Sequence, residues 1–168
     1  LGRFLAADVV APEDLPSFAR STVDGFAVKA SDTFGASEAI PAYLELAGEV
    51  TMGKPARGAL SDGQAVRIPT GGMVPEGADA VVMVEHAGVI QGGAGGAMVE
   101  VTRGVSPGEN VVWPGDDARK GSVVIRKGRR LRPWDLAALA ALGIAKVPVF
   151  QPLIVGILST GDELVGYD

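Results

Sequence analysis

Apolar and polar residues alternate over several short stretches of this chain, and a period of two predicts strands. The clearest case is residues 43–50, where Leu44, Leu46 and Val50 share one side and Glu45 and Glu49 stand between them. Residues 22–29 alternate in part, through Val23, Phe26 and Val28. Residues 65–69 are a short strand-like run that leads into Thr70-Gly71-Gly72, and residues 80–85 are a longer apolar one. Val89-Ile90 and residues 98–101 flank a glycine-rich stretch at 91–96, which predicts a hairpin tip. That stretch lacks the Lys-Ser/Thr ending of a phosphate loop. Residues 122–125 predict another strand, with a turn at Gly128. One helix is expected: Pro133 suits its first position, residues 134–142 are rich in Ala and Leu, and Gly143 is its stop. Its mostly apolar surface predicts burial against another element. After it, residues 146–150 and 153–158 are strand-like. The second run has no polar alternation, as in a parallel strand buried on both faces.

These elements shift in kind along the chain. Residues from about 11 to 117 read as β-rich and almost free of helix, after a mixed apolar segment over residues 1–10 that ends at Ala11-Pro12. Residues 118–147 read as a strand-turn-helix unit. From 148 the pattern becomes a strand and then Ser159-Thr160-Gly161-Asp162-Glu163, as at the start of an α/β sheet. The expected fold class is mainly β with α/β elements. A lone parallel strand cannot bury itself, so the rest of an α/β domain is expected to be missing from this sequence.

Composition removes several function classes. Apolar residues make up 47% of the 168, too many for a disordered tail. The absence of Cys excludes disulfides, thiolate zinc sites and cysteine nucleophiles. A single histidine, His86, excludes a multi-histidine metal site and leaves little for a Ser-His-Asp device. Hard oxygen ligands remain, among 20 Asp and Glu. The net charge of -5 argues against nucleic acid as a partner, as do only five Phe, two Trp and two Tyr. Arg119, Lys120, Arg126, Lys127, Arg129, Arg130 and Arg132 form a local basic cluster. It reads as a solvated strand-turn edge in preference to an anion-facing patch. No stretch reaches the ~18 apolar residues of a membrane span. None reads as a signal peptide, and the cytoplasm is the expected location.

Four segments are unlike ordinary turns. Residues 21–28 contain Asp24-Gly25, which as a plain turn would close a hairpin. Residues 67–82 place Thr70 at a strand end, where Gly71 and Gly72 can present bare N–H groups to an anion. Residues 108–117 end in Asp116-Asp117 after Pro114-Gly115, a pattern that alone suits a solvated turn. Residues 158–164 follow a strand at its carboxyl end, where ligands of open α/β sheets bind. Each signal is weak alone.

In this order and spacing the four segments resemble the MoeA family, the molybdopterin molybdenumtransferases of molybdenum-cofactor synthesis, which also includes the E-domain of gephyrin. The resemblance is carried by Leu15-Pro16-Ser17-Phe18, residues 21–28, Arg67 to Glu85, Gly108 to Asp117, Gly128 to Val149 and Ser159 to Leu164, and covers nearly the whole chain. Departures are small: Val23 stands for the usual Met, Gly72 for Ala and Asp116 for Glu. Residues 111–113 lack arginines often found there.

The resemblance implies an Mg²⁺-dependent enzyme that takes adenylylated molybdopterin and molybdate, inserts molybdenum and releases AMP. It implies catalytic roles for Asp24, Thr70, Asp117 and Glu163, with Asp116 a weaker candidate. Asp24, Asp117 and Glu163 would hold the metal. Gly71, Ser159, Thr160 and Gly161 would bind the cofactor substrate. It implies an elongated homodimer, meeting through an extended domain of residues 1–9 and 118–147. Residues 10–117 would be the β-rich domain and 148–168 the first strand and loop of an α/β molybdopterin-binding domain. Its cleft would lie between subunits, so this chain alone is expected to be inactive. The rival reading is a non-catalytic dimerisation or peptide-binding scaffold, and the retained acids argue against it.

Overall fold

The computed structural model describes all residues except 57, 93, 94, 159, 164, 167 and 168. In chain order its strands are β1 (Val9–Val10), β2 (Arg20–Ser21), β3 (Gly25–Val28), β4 (Ala42–Glu49), β5 (Gln64–Ile68), β6 (Ala80–Met83), β7 (Ala87–Gln91), β8 (Ala97–Val101), β9 (Val111–Val112) and β10 (Val123–Ile125). Among the described residues the α-helix is α1 (Pro133–Ala141). Two compact units emerge. One is Ala11–Ser122; the other joins Leu1–Val10 to Val123–Asp168.

The larger unit is built on a six-stranded curled sheet of order β6-β3-β5-β4-β8-β7. Only β4 and β5 run parallel; their neighbours pair antiparallel. All four residues of β3 are buried. Phe26 and Val28 join one apolar cluster with Leu44, Val82 and Val99, while Ala27 joins another with Ile68 and Val81. A strand covered on both faces loses its polar alternation. That explains why residues 22–29 alternate only in part.

Asp24-Gly25 is not a hairpin turn. Gly25 opens β3, opposite Ile68 on one side and Met83 on the other. A Cβ there would collide with the carbonyl oxygen of Val82, so close strand approach demands glycine. The alternation of β4 holds through Leu44 and Leu46, then a bulge intervenes. Leu46 lies opposite Ala65 but Gly48 opposite Val66, leaving Ala47 as the extra residue. Glu49 consequently stands beside Arg67. The hairpin expected around the glycine-rich stretch is β7–β8; residues 93 and 94 at its tip lie outside the described residues.

In the smaller unit β1 pairs antiparallel with β10. Leu5, Val9, Ile125, Leu131 and Leu139 form its core. Helix α1 begins at Pro133, and Gly143 (φ 69°) ends it. The expected burial of this helix is only partly realised. Leu139 and the following Leu142 are buried, but Trp134 is 58% exposed. A helix of this kind buries one stripe and wets the rest. Asp135 is also buried, accepting from the Arg132 N–H and the Arg129 guanidinium, both at 2.9 Å. Burial raises its pKa, but those two donors prevail and hold it below the ordinary aspartate value.

Residues 153–158 do not form the expected buried strand. They have no strand pairing, and Ile154 is 99% exposed. A strand exists only through its ladder, and among the described residues nothing pairs with this run; nearby, Val149 makes a single bridge to Leu5.

Candidate functional site

Two loops of the larger unit are tied together where β2 leads into β3 and where β5 ends. The Gly71 N–H donates to the Ser21 carbonyl at 2.8 Å, and the Ser21 N–H donates to Gly72 at 3.0 Å. Within its own loop the Ser21 hydroxyl donates to the Val23 carbonyl at 2.6 Å. The other loop is a tight turn from Pro69 to Gly72, closed by a 2.9 Å bond from the Gly72 N–H to the Pro69 carbonyl. Gly71 has φ 79°, the left-handed conformation that the third residue of a type II turn requires.

This geometry corrects one expectation. Gly71 and Gly72 do not offer bare N–H groups to an anion, because both already donate to backbone carbonyls. The turn that brings the glycines to the strand end is what uses up their donors.

Asp24 and Thr70 meet across the paired loops. The Thr70 N–H donates to Asp24 Oδ1 at 2.7 Å, and the Thr70 hydroxyl donates to the same oxygen at 3.0 Å. The backbone N–H is the main cause holding the Asp24 carboxyl below its ordinary pKa, followed by the hydroxyl; Arg67 adds a smaller pull and desolvation opposes. Asp24 is therefore ionised at neutral pH, and its Oδ2 accepts from no described residue.

A cleft of about 490 Å³ opens beside Asp24, lined by Gly25, Glu49, Arg67, Ile68, Pro69 and Val84. It lies where four neighbouring strands reach one edge of the sheet. β4 contributes Glu49, β5 contributes Arg67 and Ile68, β3 starts after Asp24, and Val84 follows β6. Glu49 and Arg67 are site residues that sequence reasoning did not select. Glu49 reads as an outward polar residue of an amphipathic strand, and only the bulge turns it to Arg67. Arg67 did stand at the head of a recognised segment.

Asp117 does not line this cleft. It lies 3.7 Å from the Arg20 guanidinium, and its N–H donates to the Leu15 carbonyl at 2.9 Å. Arg20 connects it indirectly to the paired loops, since Arg20 bridges Met73 and precedes Ser21. The Asp116 carboxylate closes its own turn, accepting from the Trp113 N–H at 2.7 Å. Glu163, Thr160 and Gly161 belong to the other unit and are exposed, in a segment without helix or strand. The Glu163 carboxylate lies against Gly161. Ser159 lies outside the described residues. Among the described residues no three of Asp, Glu and His are grouped to hold a metal ion.

The donors present nevertheless suit Mg²⁺ in kind. Mg²⁺ takes one or two carboxylates and completes its shell with substrate phosphates and water, without an all-protein cage. Asp24 has an unused oxygen, and Glu49 opens onto the same cleft.

Comparison with known proteins adds an independent line. The family described as MoeA N-terminal region (domain I and II) matches residues 1–143. The chain is 44% identical over 165 residues to a molybdopterin molybdenumtransferase of Bacillus subtilis, covering 98% of this chain and 38% of that protein. It is 40% identical over 163 residues to the protein of that name from Haemophilus influenzae, covering 97% and 38%. The crystal structure of a molybdopterin biosynthesis protein from Pyrococcus horikoshii OT3 superimposes with a TM-score of 0.79 at 46% identity, over 89% of this chain and 38% of that one. The chain thus spans about 38% of the length of these relatives.

Proposed function

This chain belongs to the MoeA family, of which it carries the N-terminal region, and from that premise we propose that it supplies one wall of the site that inserts molybdenum into adenylylated molybdopterin. In this reading molybdate delivers the metal to the dithiolene, and the pyrophosphate linkage is cleaved to release AMP. The observation that carries the reading is the Asp24–Thr70 pair at the mouth of the cleft.

The chain's own contribution follows from that pair. Thr70 fixes the rotamer of Asp24 and keeps it charged, so Thr70 acts as a positioning residue as much as a ligand. With Oδ1 saturated, Oδ2 is the acceptor left to a cation or to a water. Carboxylates alone would repel molybdate and phosphate, so a cation is needed to join the two. Mg²⁺, when bound, would neutralise the ligand's phosphate charge and polarise the linkage. Asp24, Asp117 and Glu163 are the proposed oxygen ligands, completed by the ligand itself. Gly71 then shapes the turn rather than donating to the substrate, and Thr160 and Gly161 remain proposed contacts for the pterin phosphate, with Ser159.

We place the active form as a homodimer in which residues 1–9 and 118–147 contribute the contact. The exposed apolar side chains of Trp134 and Leu136 on α1 support that assignment. Among the described residues no helix is long and apolar enough to cross a membrane.

The test is a chimera in which this chain replaces the matching region of the Bacillus subtilis relative, supplied to a strain lacking that gene. Restored molybdoenzyme activity that Asp24→Asn abolishes is the expected result. Full activity with Asp24→Asn, or no activity from a folded wild-type chimera, would overturn the proposal.

A further inference from the structure

We propose that Arg67 docks a tetrahedral oxyanion in the Asp24 cleft. This rests on the function proposed above and names a contact within that site. Arg67 is the one basic side chain among those lining the cleft, where Asp24 and Glu49 are the acids. Three other arginines pair with carboxylates: Arg20 with Asp117, Arg103 with Glu109 and Arg129 with Asp135. Arg67 lies within 4 Å of no carboxylate among the described residues, although its strand neighbour is Glu49.

Its backbone is held firmly. Arg67 sits in β5 between β3 and β4, opposite Phe26 and Glu49, and its carbonyl accepts from the Val50 N–H at 2.8 Å. The neighbouring carboxylate of Asp24 is already occupied on Oδ1 by Thr70. A guanidinium is thus left exposed, fixed at its root and unpaired beside two acids. Its planar fork matches two oxygens of a tetrahedral anion. Without it the cleft would present only negative charge to an anionic ligand. The same chemistry would serve a phosphate ester of the adenylylated pterin or molybdate itself.

Titration calorimetry of the chain with AMP and, separately, with sodium molybdate tests this and tells the two sources apart. Wild type should bind at least one of them, more weakly as salt rises. Arg67→Gln should weaken that binding by about tenfold or more, as expected for a lost charge-assisted fork. Arg67→Lys, which keeps charge but not the fork, should fall between. Glu49→Gln should bind more tightly. Circular dichroism and melting establish that each variant is folded; if Arg67→Gln is not, the Arg67→Lys comparison decides. Binding of neither anion by wild type, or equal binding by a folded Arg67 variant, would overturn the inference. An Arg67→Gln chimera as active as wild type, alongside an inactive Asp24→Asn chimera, would remove this role while sparing the proposed reaction. Arg67-dependent anion binding retained by a wild-type chimera that inserts no molybdenum would do the reverse.

Discussion

Asp24 and Thr70 are joined by two hydrogen bonds that end on one carboxylate oxygen, from the Thr70 N–H at 2.7 Å and its hydroxyl at 3.0 Å. The two donors come from different parts of one residue, so a substitution can remove one and keep the other. Thr70→Val deletes only the hydroxyl. The Asp24 pKa should then rise toward the ordinary value without reaching it, because the stronger backbone cause persists. Carboxyl-carbon NMR titration reads this directly. The sign for stability follows from the lowered folded pKa. Asp24 stabilises the fold above its unfolded pKa of about 4, and that contribution is lost as pH falls through the folded value. Asp24→Asn should flatten the acid limb of the stability profile below about pH 4. An unchanged acid limb would mean that the Thr70 bonds do not form in solution.

Gly25→Ala tests the packing under the site. The new Cβ would meet the Val82 carbonyl across a ladder with no room to part. Overpacking of this kind costs about 1–3 kcal/mol, and backbone on both sides leaves little relief. Urea denaturation should show a lowered midpoint with an unchanged slope. Wild-type stability in Gly25→Ala would refute the strand spacing.

Asn110 explains part of the third recognised segment in structural terms. It has φ 61°, and its side-chain amide donates to the Val81 carbonyl at 2.9 Å. Its own carbonyl accepts from the Thr22 N–H at 3.0 Å, bracing the loop before Asp24. Asn110→Ala should cost about 1–3 kcal/mol, combining backbone strain with an orphaned carbonyl. Asn110→Gly should recover the backbone share and leave the rest. Equal stability of the two variants would show that strain contributes nothing.

Asp117→Asn separates chemistry from folding. Its partner Arg20 is 3.7 Å away, and the two side chains are 55% and 42% exposed. Exposed pairs of this kind contribute little, so stability should change by no more than about 0.5 kcal/mol. If Asp117 serves the proposed reaction, the chimera should lose activity while its melting curve stays in place. A large drop in melting temperature would mark Asp117 as a structural residue.

Local patterns survived folding best. The alternation in β4, the β7–β8 hairpin and the Pro133-to-Gly143 limits of α1 each depend on neighbours in sequence, and the residues announce them. Residues 153–158 show the opposite case. Their apolar run suits a strand, but a ladder needs a second strand, which no local pattern supplies. Asp24 and Thr70 were both legible through recognised segments, although their hydrogen bonding was not. The donors of Gly71 and Gly72 were misjudged because one is taken by the partner loop at Ser21 and the other closes the turn on Pro69. Glu49 escaped notice for a register reason: nothing in residues 43–50 reveals that one of them goes unpaired.

That unpaired residue, Ala47, has an evolutionary corollary. It works as a vernier between two parallel strands, setting which acid faces which base. Were Ala47 to pair with Val66 instead of bulging out, Gly48 would stand level with Arg67 in place of Glu49. A single-codon deletion of Ala47 would instead remove the bulge and leave Glu49 level with Arg67, so lineages differing in length at this point should be compared by alignment to the ladder and not by counting along the chain.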